Sequence, residues 1–441
     1  MTNASTLAPM SPQLRKVAER ARREPDGRFH ALAHLLDVPA LARAYARLRP
    51  EAAVGVDGVT KESFGHDLLG NLRALHERLR TQRWRHQPIR RVHIPKGQGK
   101  TRPLGISAFE DKIVQDAVRE VLQAIYEQDF LDCSFGFRPA RGAHDAIRAV
   151  HRAVDQGVMN WVLEADIVSF FDSLDRNRLR EMLQERVADG SLLRLIGRCL
   201  HAGVLDGAEF STPESGTAQG SVLSPLLGNL YLHHVLDRWF ERDVRPRLKG
   251  RACLIRYADD FVIGFERRED AERVQEVLGK RLQRYGLTLH PDKTRLLPLA
   301  PPGQGHAGGK GPATFDFLGF TLYWRRARTG RWRLGCKTRS ARLRRAINAV
   351  YDWCRTQRHQ PLAVQHAALV SRLRGHFQYF GVNGNLRCLG DLLYHAKRAW
   401  YKWLRRRSQR ARLTWERFAC LLRAYPLPVP RVFVSIWGSG T

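Results

Sequence analysis

Acidic residues are scarce in this chain. Its 441 residues include 43 Asp and Glu against 74 Lys and Arg, a net charge of +31. Such an excess is out of keeping with an ordinary metabolic enzyme and points to a polyanionic partner. Cysteine is sparse too: the seven residues (133, 199, 253, 336, 354, 388 and 420) form no C-x-x-C pair. That argues against structural zinc and a disulfide framework, and it fits a reducing, cytoplasmic setting, in which nucleoid association stays open. No apolar run approaches the ~20 residues of a membrane span, so no membrane partner is expected. Met1 to Pro12 is polar and small-residue-rich without a signal-peptide core, and reads as a frayed tail. Internal repeats are lacking.

The positive charge is unevenly placed. From Thr321 to Thr441 there are 26 Lys and Arg but only 3 Asp and Glu, whereas residues 1–320 hold 48 and 40. A nearly balanced body therefore carries a basic C-terminal module. Helical spacing of apolar residues marks Ser11–Leu48, Thr60–Trp84, Asp111–Tyr126, Leu174–Arg186, Ser191–Leu200, Leu223–Phe240 and Glu269–Tyr285. In the basic module it marks Ser340–Thr356, Gln365–Phe380, Leu389–Arg407 and Leu413–Ala424. Strands are expected at Ile89–Ile94, Trp161–Leu163, Phe315–Trp324 and Trp332–Leu334, and a turn-rich segment at Pro95–Ile106. Pro301–Pro312, with five glycines and three prolines, reads as a flexible insertion loop.

The chemistry concentrates in Tyr257-Ala258-Asp259-Asp260, which lies between the apolar runs Leu254-Ile255 and Phe261-Val262-Ile263-Gly264-Phe265. That pattern predicts a buried hairpin with two carboxylates at its turn. Adjacent like charges cost energy unless a multivalent cation neutralises them. Alone, the tetrad reads better as a solvated acidic turn. A third acid, Asp166, ends the apolar run Trp161-Val162-Leu163. Asp166 and Asp259 would bridge two Mg²⁺ ions, with Asp260 as an outer ligand and the Ile167 carbonyl completing the shell. Lys96 and Arg102 flank Gly97 and Gly99, a cationic turn suited to a triphosphate.

Taken in order, these segments resemble the reverse transcriptases, and within them those encoded by bacterial group II introns. Gly55-Val56-Asp57-Gly58-Val59 resembles the N-terminal extension motif, and Ile94-Pro95-Lys96 through Arg102-Pro103-Leu104-Gly105-Ile106 the fingers motif. Ser134-Phe135-Gly136-Phe137-Arg138-Pro139 is similar to the signature after the fingers helix. The segment around Asp166 with Phe170-Phe171-Asp172 resembles motif A, and Gly216 to Asn229 motif B. The Tyr257 tetrad stands for motif C, Leu289-His290-Pro291-Asp292-Lys293-Thr294 for motif D, and Phe317-Leu318-Gly319-Phe320 for the primer-grip hairpin. Each is weak singly, and eight in register are specific.

The resemblance implies an α+β right hand. Residues 1–60 would be the tail and N-terminal extension, and 61–150 the fingers. Residues 151–324 would be a palm with an antiparallel ferredoxin-like sheet, and 325–441 a basic helical thumb or maturase domain. It implies RNA-directed DNA synthesis with two Mg²⁺ ions, Mn²⁺ substituting, on an RNA template and DNA primer with dNTPs. Phe171 would sit under the sugar and exclude a 2′-hydroxyl, with Phe170 as the substitute if the register slips by one. Gln219 and Gly220 would lie along base and template, Tyr257 against the primer end. Lys293 is either a general acid toward pyrophosphate or a surface lysine. Arg138 could equally be a buried ion-pair former, Asp172 and Asp175 read as capping or solvated acids, and His144 as structural or exposed. Arg372, Arg374, Arg398, Lys402, Arg405, Arg406 and Arg407, interleaved with aromatics, would bind RNA, including a group II intron RNA held as a ribonucleoprotein for splicing and retrohoming into a DNA target.

The chain departs from the family pattern at Ser107 and Ala218, where proline is usual. No C-x-x-C or H-N-H-like cluster follows Trp437, so the endonuclease module of many relatives is expected to be absent. Two other readings remain: a domesticated relative acting in DNA repair or phage defence with the same chemistry, and a non-catalytic RNA-binding splicing factor.

Overall fold

The computed structural model describes residues 10–437 except 98–99, 208, 213–214, 218, 300, 302–313, 328–329 and 409–412, and describes no side chain for Lys96, Gly97 or Lys100. The Gly/Pro-rich loop therefore lies outside the described residues, as do the frayed tail up to residue 9 and the Ala218 departure. In chain order the N-terminal part comprises α1 (Pro12–Arg23), α2 (Val38–Arg47), α3 (Lys61–Gly65), α4 (Leu68–Arg80), strands β1 (Ile89–Gly97) and β2 (Lys100–Ile106), α5 (Phe109–Asp129) and α6 (Ala143–Asp155). Next come β3 (Trp161–Ala165), α7 (Arg176–Arg186), α8 (Gly190–Leu200), β4 (Val204–Asp206), β5 (Glu209–Ser211), α9 (Ser224–Leu232), β6 (Ala252–Tyr257), β7 (Asp260–Phe265), α10 (Arg268–Gln283) and β8 (Arg295–Pro298). The C-terminal part holds β9 (Phe315–Phe317), β10 (Phe320–Arg326), β11 (Trp332–Thr338), α11 (Ser340–Thr356), α12 (Leu362–Phe380), α13 (Leu386–Arg405) and α14 (Trp415–Ala424).

The chain is a mixed α/β molecule, with three sheets among the described residues, ordered β2-β1-β4-β5, β6-β7-β3-β8 and β11-β10-β9. The middle sheet is antiparallel throughout. Its strands β3 and β7 are apolar on both faces because helices cover both. Leu163 and Ile263 belong to a core that α5, α9 and α10 share, while Val162 and Val262 belong to a second core with α6, β10 and the helices of the basic module. Helix starts follow local chemistry: Asp37, Asp67, Asp175 and Asp189 each accept from backbone N–H groups of the first turn of α2, α4, α7 and α8.

Three expected segments are different. Pro95–Ile106 is an antiparallel hairpin rather than a run of turns, with Ile94 opposite Arg102 and His93 opposite Pro103. Its prolines are tolerated because β2 is an edge strand and β1 meets β4 only at Ile89 and Arg90, leaving Pro95 free on that side. The expected strand Phe315–Trp324 is broken into β9 and β10 by a turn in which Leu318 and Gly319 both have positive φ (51° and 81°), the geometry of a tight hairpin. The helix expected at Leu223–Phe240 continues beyond α9 through wider π-type turns at His233–Asp237 and Phe240–Val244. No described helix is long and apolar enough to cross a membrane.

Candidate active site

Register brings the three acids together. Ala165 pairs with Phe261 and Tyr257 with Asp260, so the next residue of β3, Asp166, falls level with the β6–β7 turn. Behind Asp166 the chain is tied down, because its carbonyl accepts the His290 N–H (2.8 Å) and the Val168 N–H donates to Thr288 (2.9 Å). Burial holds the Asp259 carboxyl above the usual carboxylate range, and the Asp166 charge adds to this. Asp260 is surface-accessible yet sits in a recess. That partial burial, then Asp259 and Asp166, push its carboxyl up to about 6. Mutual repulsion among three acids at one sheet end is relieved by a cation.

Among the described residues no group of three or more His, Cys, Asp or Glu side chains gathers closely enough to hold an ion by itself. Mg²⁺ is commonly held by one or two carboxylates and otherwise by water and substrate phosphates. Asp166, Asp259 and the Ile167 carbonyl fit such a site. The Asp166 carboxylate is now ion-paired with the Lys293 ammonium. Lys293 is thus brought to the acids across 127 residues of sequence.

The neighbouring surface carries the remaining candidates. Phe170 is 2 % exposed and belongs to the core, whereas Phe171 is partly exposed, its ring centroid 5.1 Å from that of Phe170. Phe171 O accepts the Thr217 N–H (2.8 Å), stitching the strand-end segment to the loop that carries Gln219 and Gly220. That loop lies on the β1–β2 hairpin: Gly105 N–H donates to Gln219 O (2.6 Å), and Gly220, at φ 106°, approaches the Gly105 carbonyl too closely for any Cβ. Arg102 is exposed, and its charge reaches both Asp172 and Asp259. Lys96 lies outside the described side chains. Arg138 is a buried ion-pair former, donating from Nε to Glu127 (3.0 Å) and from Nη1 to the Leu131 and Ser134 carbonyls.

The β9–β10 turn is bolted to the basic module. Tyr379 Oη donates to Leu318 O (2.9 Å), Arg339 N–H to Gly319 O (3.0 Å), and the Tyr379 ring stacks on Phe320. Phe317 and Phe320 are core. His144 anchors the same corner at the Tyr379 carbonyl (2.7 Å). Farther out, α11, α13 and α14 enclose a groove of ≈ 1360 Å³ lined by Tyr351, Arg398, Lys402, Arg405, Arg406 and Trp415. Its cations lie over rings, Lys402 over Tyr351 and Arg405 over Tyr401. Arg372, over the Trp353 ring, and Arg374 are exposed on α12, outside that groove. Arg407 donates to the His359 carbonyl.

Several residues of the site have no counterpart in the sequence reading. Arg91 joins Arg102 in lowering the charge cost of Asp172. Arg342 of α11 does the same for Asp260, and Tyr379 lies near Tyr257 and the Asp260 carboxyl. Asp237 meets Arg256 beneath the acidic turn, beside Asn229, the last residue of the motif B segment. Positive charge in the sequence flags the arginines only as members of a crowd.

Residues 94–322 match the family described as reverse transcriptase (RNA-dependent DNA polymerase). Protein YkfC of Escherichia coli is 33 % identical over 74 % of this chain and 91 % of its own length. The group II intron-encoded protein LtrA of Lactococcus lactis is 34 % identical over 53 % of this chain, but only 39 % of LtrA is covered. The nuclear intron maturase 2 of Arabidopsis thaliana is 28 % identical over 31 % of this chain.

Proposed function

The chain belongs to the reverse transcriptases, RNA-dependent DNA polymerases, and from that premise we propose that Asp166, Asp259 and Asp260 form its polymerising centre. The observation that carries this is the register of β3 against β7, which sets three carboxylates at one sheet end beside Arg102. The middle sheet is then the palm, the β1–β2 hairpin the fingers, and the basic helices α11–α14 the thumb. Two Mg²⁺ ions held there would acidify the primer 3′-hydroxyl and stabilise charge on the transferring phosphoryl group.

The protein's own groups do the rest. Arg102 and Arg91 draw in the triphosphate, and Lys96 is assigned to the same task. Phe171 presents an aromatic face where the sugar sits and excludes a 2′-hydroxyl. Gln219 and Gly220 support the base and template from the loop on the hairpin. Lys293 exchanges its partner Asp166 for the departing pyrophosphate and donates a proton from Nζ. The Leu318–Gly319 turn grips the primer. The α11–α13 groove binds structured RNA, and a group II intron RNA is the fitting partner given the likeness to LtrA. A free-standing cellular role is the second reading: the chain aligns with only 39 % of the intron-encoded LtrA but with 91 % of YkfC.

The test is extension of oligo(dT) on poly(rA) by purified protein in Mg²⁺. Incorporation of dTTP that falls on the order of 10³-fold or more in Asp166→Asn and Asp259→Asn supports the reading. Undiminished incorporation in either variant sinks it. Phe171→Ala should raise rUTP incorporation relative to dTTP, and an unchanged ratio removes Phe171 from the sugar site.

A further inference from the structure

Beneath the acidic turn lies a buried cation that none of the roles above uses. Arg256 and Asp237 are both 0 % exposed in their side chains, and they meet in a two-pronged ion pair, Nε to Oδ1 at 2.7 Å and Nη2 to Oδ2 at 2.5 Å. The remaining nitrogen, Nη1, donates to Asn229 Oδ1 (2.9 Å) and to the Ala258 carbonyl (3.1 Å). Asn229 in turn donates from Nδ2 to the Gly136 carbonyl (2.7 Å). Gly136 lies flat against the turn, since a Cβ built there would stand 2.4 Å from Ala258 N. The Arg256 backbone is pinned as well, with its N–H on Cys133 O and its carbonyl accepting from Phe135, both at 2.8 Å.

Ala258 is the residue that needs such support. It has φ 57°, the left-handed region that costs an L-residue roughly 1–2 kcal/mol. Without a brace the turn would relax toward an ordinary conformation and swing Asp259 and Asp260 away from Asp166. The helix supplies the brace through an irregularity. Asn229 and Asp237 are eight residues apart, and in a uniform α-helix at about 100° per residue they would lie about 80° apart around the axis. The wider turn over His233–Asp237 takes up one residue, so the pair returns to within about 20° of one face. Both side chains then clasp one guanidinium.

We propose that Arg256 is a positioning residue for polymerisation: clamped by Asp237 and Asn229, it holds the Ala258 carbonyl and so fixes the left-handed turn that presents Asp259 to the metal site. This rests on the assignment of Asp259 to that site. A buried ion pair serving the fold alone could be exchanged for apolar side chains of similar volume with little loss. The turn, by contrast, would lose its tether.

The discriminating variant is therefore the double replacement Arg256→Met with Asp237→Leu, measured beside Arg256→Lys, Asn229→Ala and Asp259→Asn. The readouts are single-nucleotide incorporation, its Mg²⁺ midpoint, RNA affinity and thermal unfolding. A displacement near 1 Å predicts a folded double variant with unchanged RNA affinity, kcat down about 10²-fold and a raised Mg²⁺ midpoint. Arg256→Lys reaches Asp237 but cannot also hold the carbonyl, so it should fall about tenfold. A folded double variant, or Arg256→Lys, with kcat and Mg²⁺ midpoint within about twofold of wild type overturns the proposal. Should the double variant not fold, Asn229→Ala decides, because it leaves the ion pair whole: a drop of about fivefold in kcat supports the clamp, and no drop overturns it. If Asp259→Asn retains full activity, the metal-site assignment falls and the clamp with it. An inactive Asp259→Asn beside fully active Arg256 variants removes the clamp alone.

Discussion

Gly136→Ala should disable the enzyme while leaving it folded. The new methyl would stand 2.4 Å from Ala258 N and 2.9 Å from Tyr257 C, where ordinary contact begins at 3.4 Å. Both obstacles are backbone, so no rotamer change relieves them. Gly136 cannot retreat easily, because its carbonyl is bound by Asn229 and the preceding Phe135 N–H by Arg256. The turn bearing Asp259 and Asp260 must give way by about 1 Å, the gap between contact and clash. Overpacking of this kind costs about 1–3 kcal/mol of stability, and a displacement of about 1 Å at reacting groups costs about 10²-fold in rate. Single-nucleotide incorporation measured beside thermal unfolding separates the two effects. Gly197→Ala is the control: α8 leaves nothing within 4 Å of a Cβ there, so helix propensity should raise stability by about 0.5–1 kcal/mol with activity unchanged. Wild-type kcat in Gly136→Ala would refute the claim that this glycine seats the catalytic turn.

Asp111 and His86 are buried 3.4 Å apart, and burial pushes the Asp111 carboxyl up to about 8 and the His86 imidazole down. The folded state thus binds a proton that the unfolded state releases near pH 4, so this contribution is complete below pH 4 and lost as pH rises through about 8. Between pH 6 and 8 stability should fall by about 2 kcal/mol from this group, and Asp111→Asn should flatten that slope in thermal unfolding. A slope unchanged by the substitution counts against the buried proton. Gln115 is fully buried and accepts from Ser221 Oγ and Val222 N while donating to Ser107 Oγ. Gln115→Leu should cost about 1–3 kcal/mol and raise the KM for dNTP, because the loop carrying Gln219 loses its tether. Unaltered stability and KM would show the loop held elsewhere. Replacing Arg398, Lys402 and Arg405 with Gln should weaken structured-RNA binding and reduce the slope of log K against log salt by about 2–3. An unchanged slope takes the groove out of the RNA interface.

The parts legible in the sequence are those whose pattern is local. The β6–β7 hairpin announces itself by two apolar runs around Asp259-Asp260, and α11 by an apolar spacing that matches Ser340–Thr356 residue for residue. Other elements hide for physical reasons. The β1–β2 hairpin is rich in Gly and Pro, and only its edge position makes prolines compatible with a ladder. The strands β4, β5 and β8 are three or four residues long, too short for a period to show. α6 does carry a readable stripe in Ala146, Ile147, Val150 and Ala153, although charged residues and histidines interrupt it. In the site, the three aspartates can be found because the chemistry needs carboxylates at strand ends. The clamp beneath them cannot, since it depends on a wide helical turn that places Asp237 beside Asn229. Phe170 and Phe171 are equivalent as letters, and only packing separates the core ring from the open one.

The most direct test of the central claim is anomalous diffraction from the protein bound to an RNA template, a DNA primer and a non-hydrolysable dNTP in Mn²⁺. Two Mn²⁺ peaks roughly 4 Å apart, both within reach of Asp166 and Asp259 and flanked by the triphosphate, are the expected result. A complete ternary complex whose Mn²⁺ lies away from both carboxylates would contradict the account.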